Sequence, residues 1–184
     1  MKIAIDIGIE TPDFIPCVPT FKNILKDKYK SASDTFNKAI SNIEDNPDLA
    51  IGLANSTLES IIKEIIQDGH MTIVYDEKLT LYKLTESILK GFNMFPKNTI
   101  PKEIKNIGSS LLNICQNIEC LRSSQTSLHG KSNSDYIIDE SLYAYFVVNS
   151  VSTVGLFIHS FYKTKFLVEI NKPVELSEGT DLPF

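Results

Sequence analysis

Arg122 and His129 are the two residues of this 184-residue sequence whose types and spacing most suggest chemistry. Arg122 is the only arginine among 18 basic residues, and His129, one of three histidines, follows it by seven positions. A guanidinium is a permanently charged planar fork that suits phosphate oxygens, and an imidazole accepts or donates a proton near neutral pH. Together they suit cleavage of an RNA phosphodiester. The histidine would activate the 2′-hydroxyl or protonate the leaving oxygen, and the arginine would stabilise charge on phosphorus.

The same spacing also has a purely structural interpretation, which stays open at this point. An arginine in the last turn of a helix is favoured by the helix dipole, and a histidine before a glycine in a polar loop can simply be solvated. Seven positions make two helical turns, so both side chains could face one way if a helix continued through the serines. No histidine–carboxylate cluster has ligand spacing, so neither a metal nor another cofactor is predicted.

Five further polar residues could support this pair. Glu59 and Lys63 are spaced i, i+4 on a predicted helix, and Asn55 lies one turn before Glu59. A solvated helix pair is one interpretation, and a role in orienting the arginine or contacting RNA is the other. Ser123, directly after the arginine, can still hydrogen-bond. Lys131, after the histidine, could bind a backbone phosphate or be a solvated loop residue.

The remaining aromatic, histidine and lysine side chains are assigned mainly structural roles. Tyr143 and Tyr145 could stack on bases, but their helical spacing favours packing in the core or in a dimer. His159 is expected to be partly buried with a hydrogen-bond partner, and His70 to be exposed. The basic segment 25–30 fits a helix surface.

The apolar periodicity predicts a mainly α domain that would position these side chains. Steps of three and four residues predict a bundle of about four main helices, over residues 48–67, 77–92, 101–122 and 139–163. The third has the most regular apolar stripe, formed by Ile104, Ile107, Leu111, Ile114, Ile118 and Leu121. Arg122 therefore lies at its C-terminal end, while Gly69 is expected to cap the first of the four.

Both ends of the chain show different patterns. Alternating isoleucines over residues 3–9 predict a strand, a helical pattern follows from residue 20, and KFLVEI at 165–170 predicts a short strand. We therefore divide the chain into an N-terminal extension, a helical bundle, and a short strand with a tail, at residues 1–44, 45–164 and 165–184.

The net charge, the cysteine spacing and the apolar segments indicate which classes of protein this chain fits. A net charge of −5 argues against a generally nucleic-acid-coating surface, so RNA would need a local cationic site. Cys115 and Cys120 fall among apolar positions without C-x-x-C spacing, which predicts buried free thiols in a reducing compartment. The apolar segment 142–162 is interrupted by polar residues, so a buried core helix is expected rather than a membrane span. No signal peptide is predicted, and a cytoplasmic location without a membrane partner is expected.

Several stretches resemble one known family. R-SSQTSL-H, with six intervening residues, is similar to the R-x(4–6)-H element of the HEPN superfamily. DNPDLAIGLANSTLESIIKEIIQDG at 45–69 and KLTLYKLTESILKGFNMFP at 78–96 resemble the first two helical segments of its abortive-infection C-terminal family. LRSSQTSLHG and helix 139–163 resemble the signature and the closing helix. The similarity covers about residues 45–164.

This resemblance implies a HEPN-like bundle and a metal-independent endoribonuclease of phage defence or a toxin–antitoxin pair. It implies catalytic roles for Arg122 and His129 at a site shared across a homodimer. The implied partners are RNA, a second copy of the chain, and an antitoxin or another defence protein. The alternative is a non-catalytic RNA- or protein-binding module, which the acidic charge favours. Ser123 favours it too, because the family often has asparagine or another strongly polar residue there.

Overall fold

Six α-helices and one π-helical turn form the part of the chain that the structure describes. The structure is a computed structural model that describes residues 17–74, 76, 78–94, 101–124 and 138–167. No strand occurs in these ranges, which confirms a helical bundle. The elements are α1 (Cys17–Lys28), α2 (Lys30–Ser41), α3 (Pro47–Gln67), α4 (Leu81–Gly91), α5 (Lys102–Ser124), α6 (Ser141–Tyr162) and the π turn (Lys163–Leu167).

Helix α3 is the centre of the bundle. It contacts α2, α4, α5 and α6, and 12 of its 21 residues are buried. Pro47 occupies its first turn, where the missing N–H would have no helical partner in any case. Its C-terminal end is followed by Gly69 at φ +79°, a left-handed conformation that a Cβ would disfavour. The predicted capping glycine is therefore confirmed.

Helices α1 and α2 lie within the predicted N-terminal extension and share the core of the bundle. Helix α1 packs against α6, and α2 packs against α3. Phe21 of α1 and Phe36 of α2 are both fully buried, with ring centroids 4.9 Å apart in an edge-to-face arrangement. The division at residue 45 stays a prediction, although helices from both sides of it bury their side chains together.

Helix α6 and the π turn form one continuous helical segment. Ser141–Leu167 has 27 residues and a mean hydropathy of 1.5 in its most apolar window, enough by length and composition to cross a membrane. Ten residues of α6 are buried, and the helix packs against α1, α3 and α5. This packing agrees with the predicted core helix.

The predicted strand at 165–170 is wrong over residues 165–167, which belong to the π turn. The Phe166 ring stacks on Tyr162 at 5.8 Å and on Phe92 at 6.0 Å. Helical spacing places residues i and i+4 side by side, so this aromatic stack favours continued helix over an extended chain. Residues 168–170, and the predicted strand at 3–9, lie outside the described residues.

A carboxylate of α5 fixes the start of α4. The helix begins at Leu81, later than predicted, and its N-cap residue Thr80 makes no side-chain capping bond. Instead, Oε2 of Glu119 accepts a hydrogen bond of 2.8 Å from the backbone N–H of Tyr82. A negative charge at a helix N-terminus is favourable. The contact ties α4 to α5 one turn before Arg122.

The two cysteines of α5 differ in burial. Cys115 is fully buried, and burial raises the pKa of its thiol to about 11, so it is protonated at neutral pH. Cys120 is exposed. The prediction that both are buried is therefore wrong for Cys120. Although its neighbours in sequence are apolar, it lies on the outward side of the helix.

The contact between Gly155 and Phe21 gives a test of the packing of α1 on α6. A Cβ added at Gly155 would lie less than 3.0 Å from the buried Phe21 ring. We expect Gly155→Ala to lower the free energy of unfolding by about 1 kcal/mol or more, because the clash outweighs the gain in helix propensity. Urea denaturation measures this change.

Gly108→Ala is the matched control, because a Cβ there meets only atoms of Met94 at ordinary contact distance, the nearest being its flexible side-chain methyl at 3.5 Å. This variant should be neutral or gain up to about 1 kcal/mol. Equal stability of the two variants would contradict the tight packing of α1 on α6.

Candidate functional site

Arg122, in the last turn of α5, forms an ion pair with Glu59 in the middle of α3. Nη1 of Arg122 lies 3.4 Å from Oε1 of Glu59, a long hydrogen bond. The Arg122 side chain is 33% exposed and that of Glu59 is 18% exposed. The guanidinium is thus anchored to the central helix while part of it stays accessible to solvent.

Asn55 holds the carboxylate of Glu59 from the same helix. Its Nδ2 donates a hydrogen bond of 2.8 Å to Oε1 of Glu59, the oxygen that also faces Arg122. Asn55 is fully buried, and within the described residues its Oδ1 has no hydrogen-bond partner. A carboxylate fixed by a buried amide is a rigid anchor for an arginine. The three residues therefore form a chain of contacts from the core to the surface.

The other predicted supporting residues are Lys63, Ser123 and Lys131. Lys63 is half-buried one turn beyond Glu59, and it takes part in none of the ion pairs within 4.0 Å that the described residues form. The Ser123 hydroxyl donates to the backbone carbonyls of Glu119 and Cys120, at 3.0 and 3.1 Å. His129 and Lys131 lie outside the described residues.

The tyrosines of α6 differ in exposure. Tyr143 is 46% exposed. Tyr145 is half-buried, and burial together with Glu44 raises the pKa of its hydroxyl. An exposed ring such as Tyr143 is available for stacking or for packing against another chain.

The two remaining histidines lie away from Arg122 and are placed as expected. His70 is exposed, 3.7 Å from a carboxylate oxygen of Asp68. His159 is only 8% exposed, and its Nδ1 lies 2.9 Å from the hydroxyl of Tyr29.

Large apolar side chains of α5 and α6 face solvent. Only three residues of α5 are buried, and Ile104, Ile107 and Ile114 of its predicted stripe are 43%, 57% and 37% exposed. Near the start of α6, Leu142 and Phe146 are 64% and 71% exposed. We call these five residues and Tyr143 the α5–α6 apolar residues. Exposed apolar side chains of this size are available to pack against another chain.

Metal-ligating side chains do not cluster in the described part of the chain. In those ranges, no group of three or more His, Cys, Asp or Glu residues has an arrangement that could hold a metal ion.

A comparison with protein families identifies the domain. The model of Abi_C, a HEPN-like domain, matches residues 30–162, most of the chain. The chain belongs to the Abi_C family. The matched region of this HEPN-like domain contains Arg122, Glu59 and Asn55. Searches of curated proteins and of solved structures found no match.

The contact of Glu119 with α4 is the feature near this site that the sequence did not predict. Glu119 precedes Arg122 by three positions, a spacing that places both side chains on one side of α5. The sequence alone could therefore have placed Glu119 beside Arg122. The backbone N–H that Glu119 binds lies 37 positions away, and the sequence holds no signal for that distance.

The Glu59–Arg122 contact can be measured by a double-mutant cycle. We expect Glu59→Gln and Arg122→Gln to show a coupling energy of about 0.5 to 1 kcal/mol in urea unfolding, since the pair is partly exposed. The Lys90–Glu86 pair, at 2.8 Å on the surface of α4, provides a reference cycle. A coupling energy of zero for Glu59 and Arg122 would show that the carboxylate does not hold the guanidinium.

Proposed function

We propose that this HEPN-like domain, which relates the chain to abortive-infection modules, is a metal-independent endoribonuclease of an anti-phage or toxin–antitoxin system. The observation that carries the proposal is the anchored guanidinium of Arg122. It combines a fixed position at the end of α5 with partial access to solvent. A phosphate-binding arginine needs both properties. We place the activity in the cytoplasm, where RNA is available.

The proposed reaction uses the ribose as its own nucleophile. The imidazole of His129 takes the proton from the 2′-hydroxyl, or gives a proton to the departing 5′-oxygen. The 2′-oxygen bonds to phosphorus as the bond from phosphorus to the 5′-oxygen breaks, leaving a 2′,3′-cyclic phosphate and a free 5′-hydroxyl. Arg122 stabilises the negative charge that develops on the phosphoryl oxygens. Glu59 and Asn55 act as positioning residues for that arginine.

We further propose that two copies of the chain form the site together. The α5–α6 apolar residues support this, because they lie on the helix whose last turn contains Arg122 and on the helix that follows it. A second copy would remove these side chains from water, which is favourable in proportion to the apolar area covered. Their position would also bring two Arg122 residues toward one cleft.

A specific observation favours the alternative of a non-catalytic module. The Glu59 carboxylate already faces the guanidinium and compensates part of its charge. A structural arginine that joins α3 to α5 would look the same. In that case the domain would bind RNA or a defence protein without cutting.

Cleavage of RNA in the presence of EDTA distinguishes the two functions. We expect the wild type to cut RNA and to leave 2′,3′-cyclic phosphate ends. Arg122→Ala should lower the rate by about 100-fold or more, because it removes a charge that stabilises the transition state. His129→Ala should lower it by a similar or larger factor. The measurement is the initial rate on a labelled RNA, together with the chemistry of its new ends.

His70→Ala is the matched control, since His70 is an exposed histidine away from Arg122, and its rate should equal that of the wild type. Cleavage that persists in Arg122→Ala and His129→Ala would exclude these residues from the mechanism. Expression alone gives a second readout: a toxin should slow growth, and Arg122→Ala should relieve it. Absence of both cleavage and toxicity would favour the binding module.

The oligomeric state tests the proposed dimer. A charge at Ile107 or Phe146 should oppose the burial of this surface, so Ile107→Glu and Phe146→Glu should shift the protein from dimer to monomer. Analytical ultracentrifugation measures the shift, and RNA cleavage should fall with it.

Val74→Glu is the matched control, because Val74 is 91% exposed and lies on neither α5 nor α6. It should leave both the dimer and the rate unchanged. A wild-type protein that is monomeric at all concentrations and still cuts RNA would overturn the shared site.

A further inference from the structure

Tyr29 separates α1 from α2 and joins both helices to α6. Helix α1 ends at Lys28 and α2 begins at Lys30, and between them Tyr29 has φ −130° and ψ 74°, outside the helical region. Its side chain is buried, and its hydroxyl lies 2.9 Å from Nδ1 of His159, 130 positions along the chain. The two rings also meet edge-to-face, with centroids 5.5 Å apart. We call this contact the Tyr29–His159 junction.

The junction borders a cleft between the C-terminal parts of α1, α3 and α6. Tyr29 and His159 both line this cleft, whose volume is about 550 Å³. A water molecule occupies roughly 30 Å³ of liquid, so the cleft has room for solvent beside both rings. Next to them, the Tyr162 hydroxyl donates to a carboxylate oxygen of Asp68 at 2.5 Å and ties α6 to the end of α3. The junction is therefore buried in the fold but lies beside a space through which a proton can reach it.

Titratable side chains from every element around the cleft lie near the junction. They are Lys28 of α1, Glu64 and Asp68 of α3, Tyr162 of α6, Lys163 of the π turn, and His70, which is 3.7 Å from Asp68. Burial lowers the pKa of His159, and the positive charges of Lys163 and Lys28 lower it further. Both ammonium groups thus act on the imidazole, which is neutral at neutral pH.

The Tyr29 hydroxyl keeps its proton in neutral and acidic solution. Burial raises its pKa, and the carboxylates of Glu64 and Asp68 raise it further. A neutral imidazole accepts a hydrogen bond at one ring nitrogen, whereas an imidazolium accepts none. Protonation of His159 would therefore remove the acceptor of this hydroxyl. It would also place a charge on a residue that is only 8% exposed, close to two ammonium groups.

We propose that the Tyr29–His159 junction is a pH-sensitive latch, closed while His159 is neutral and opened when it is protonated. In the closed state the ring carries its proton on Nε2 and accepts the Tyr29 hydroxyl proton at Nδ1. In the open state Nδ1 is protonated, and water in the cleft takes the place of the tyrosine. The buried Phe21 keeps the rest of α1 on α6, so the opening is confined to the end of α1 and Tyr29. The proposal does not depend on ribonuclease activity.

The direction of the pH dependence follows from the lowered pKa of His159. Because the folded value lies below the ordinary value of about 6.5, the latch contributes its full stability above that pH and loses it as the pH falls through the folded value. Glu64 acts in the opposite direction: burial raises its pKa, so its protonation stabilises the fold as the pH falls. A Glu64→Gln background removes this opposing contribution, and each comparison below is made with and without it.

Amide hydrogen exchange between about pH 7.5 and about pH 5 tests the latch. The reporters are the N–H of Tyr29, which donates to the carbonyl of Leu25 at 2.8 Å, and the N–H of Ser33, which donates to the carbonyl of Tyr29 at 2.8 Å. After correction for the intrinsic rate, their exchange should accelerate by up to about tenfold per pH unit below the folded pKa of His159, because the open population rises in that proportion. Exchange in the middle of α3 should not change.

Variants of the two partners separate their roles. His159→Gln keeps a polar side chain that does not titrate, so it should abolish the acceleration in acid. Tyr29→Phe removes only the hydroxyl and should already speed the exchange of the Ser33 amide at neutral pH. The matched control is His70→Gln, which removes an exposed histidine beside the same cleft and should keep the wild-type pH dependence. Far-ultraviolet circular dichroism at neutral pH should show that each variant is folded.

Variants of the lysines test the electrostatic part. Lys28→Gln combined with Lys163→Gln should raise the pKa of His159 and move the acceleration to higher pH, because the two charges that oppose protonation are gone. Lys22→Gln combined with Lys38→Gln removes the same charge from two exposed lysines outside the cleft and should leave the pH dependence unchanged.

The ring nitrogens of His159 give a readout that needs no variant. Nitrogen-15 NMR of the wild type should show the Nε2–H tautomer at neutral pH and protonation with a pKa below the ordinary value. Three results would overturn the proposal. They are an Nδ1–H tautomer in the neutral state, exchange at the two reporter amides that does not depend on pH, and an acceleration in His159→Gln equal to that of the wild type.

Discussion

The burial of α3 is the constraint on which the rest of the structure depends. Helices cover this segment on several sides, so a polar side chain along it needs a partner within the protein. Asn55 meets this need for its Nδ2 by donating to Glu59, and Glu59 meets it by accepting from both Asn55 and Arg122. The position of the arginine is therefore a consequence of satisfying polar groups on the central helix. The candidate site and the core are parts of one arrangement.

Periodicity predicted the helices well because it reports which face of each segment is apolar. It did not predict what covers that face. The stripe on α5 was the most regular in the sequence, yet Ile104, Ile107 and Ile114 face solvent. For the same reason the sequence did not predict the exposure of Cys120: its apolar neighbours in sequence suggested burial, but none of the described helices covers that side of α5. From residue 165 the local pattern KFL suits a strand or a helix. Stacking of Phe166 on Tyr162 and Phe92 decides for helix, and a local pattern carries no information about it.

The candidate site was predictable only in part, for a related reason. The sequence singled out Arg122 by its residue type and by its place at a helix end, and Glu59 with Asn55 by their spacing on one helix face. The contact between Glu59 and Arg122 spans 63 positions, and that between Tyr29 and His159 spans 130. Helix spacing relates residues within a few turns, so it is silent about such pairs. These contacts come from the packing of helices around α3.

The geometry around Glu59 also bears on how an arginine can be both structural and functional. A long ion pair of 3.4 Å with a partly exposed guanidinium is weak enough to be exchanged for a phosphate. If the Arg122 side chain moved away, the Glu59 carboxylate would still have hydrogen-bond partners. Asn55 donates to it at 2.8 Å, and solvent reaches it. In the proposed mechanism the arginine would exchange this weak contact for one with a phosphate, and Glu59 would stay in place to receive it again. An anchor with a shorter, fully buried ion pair would hold the arginine more tightly and make it less available to a substrate.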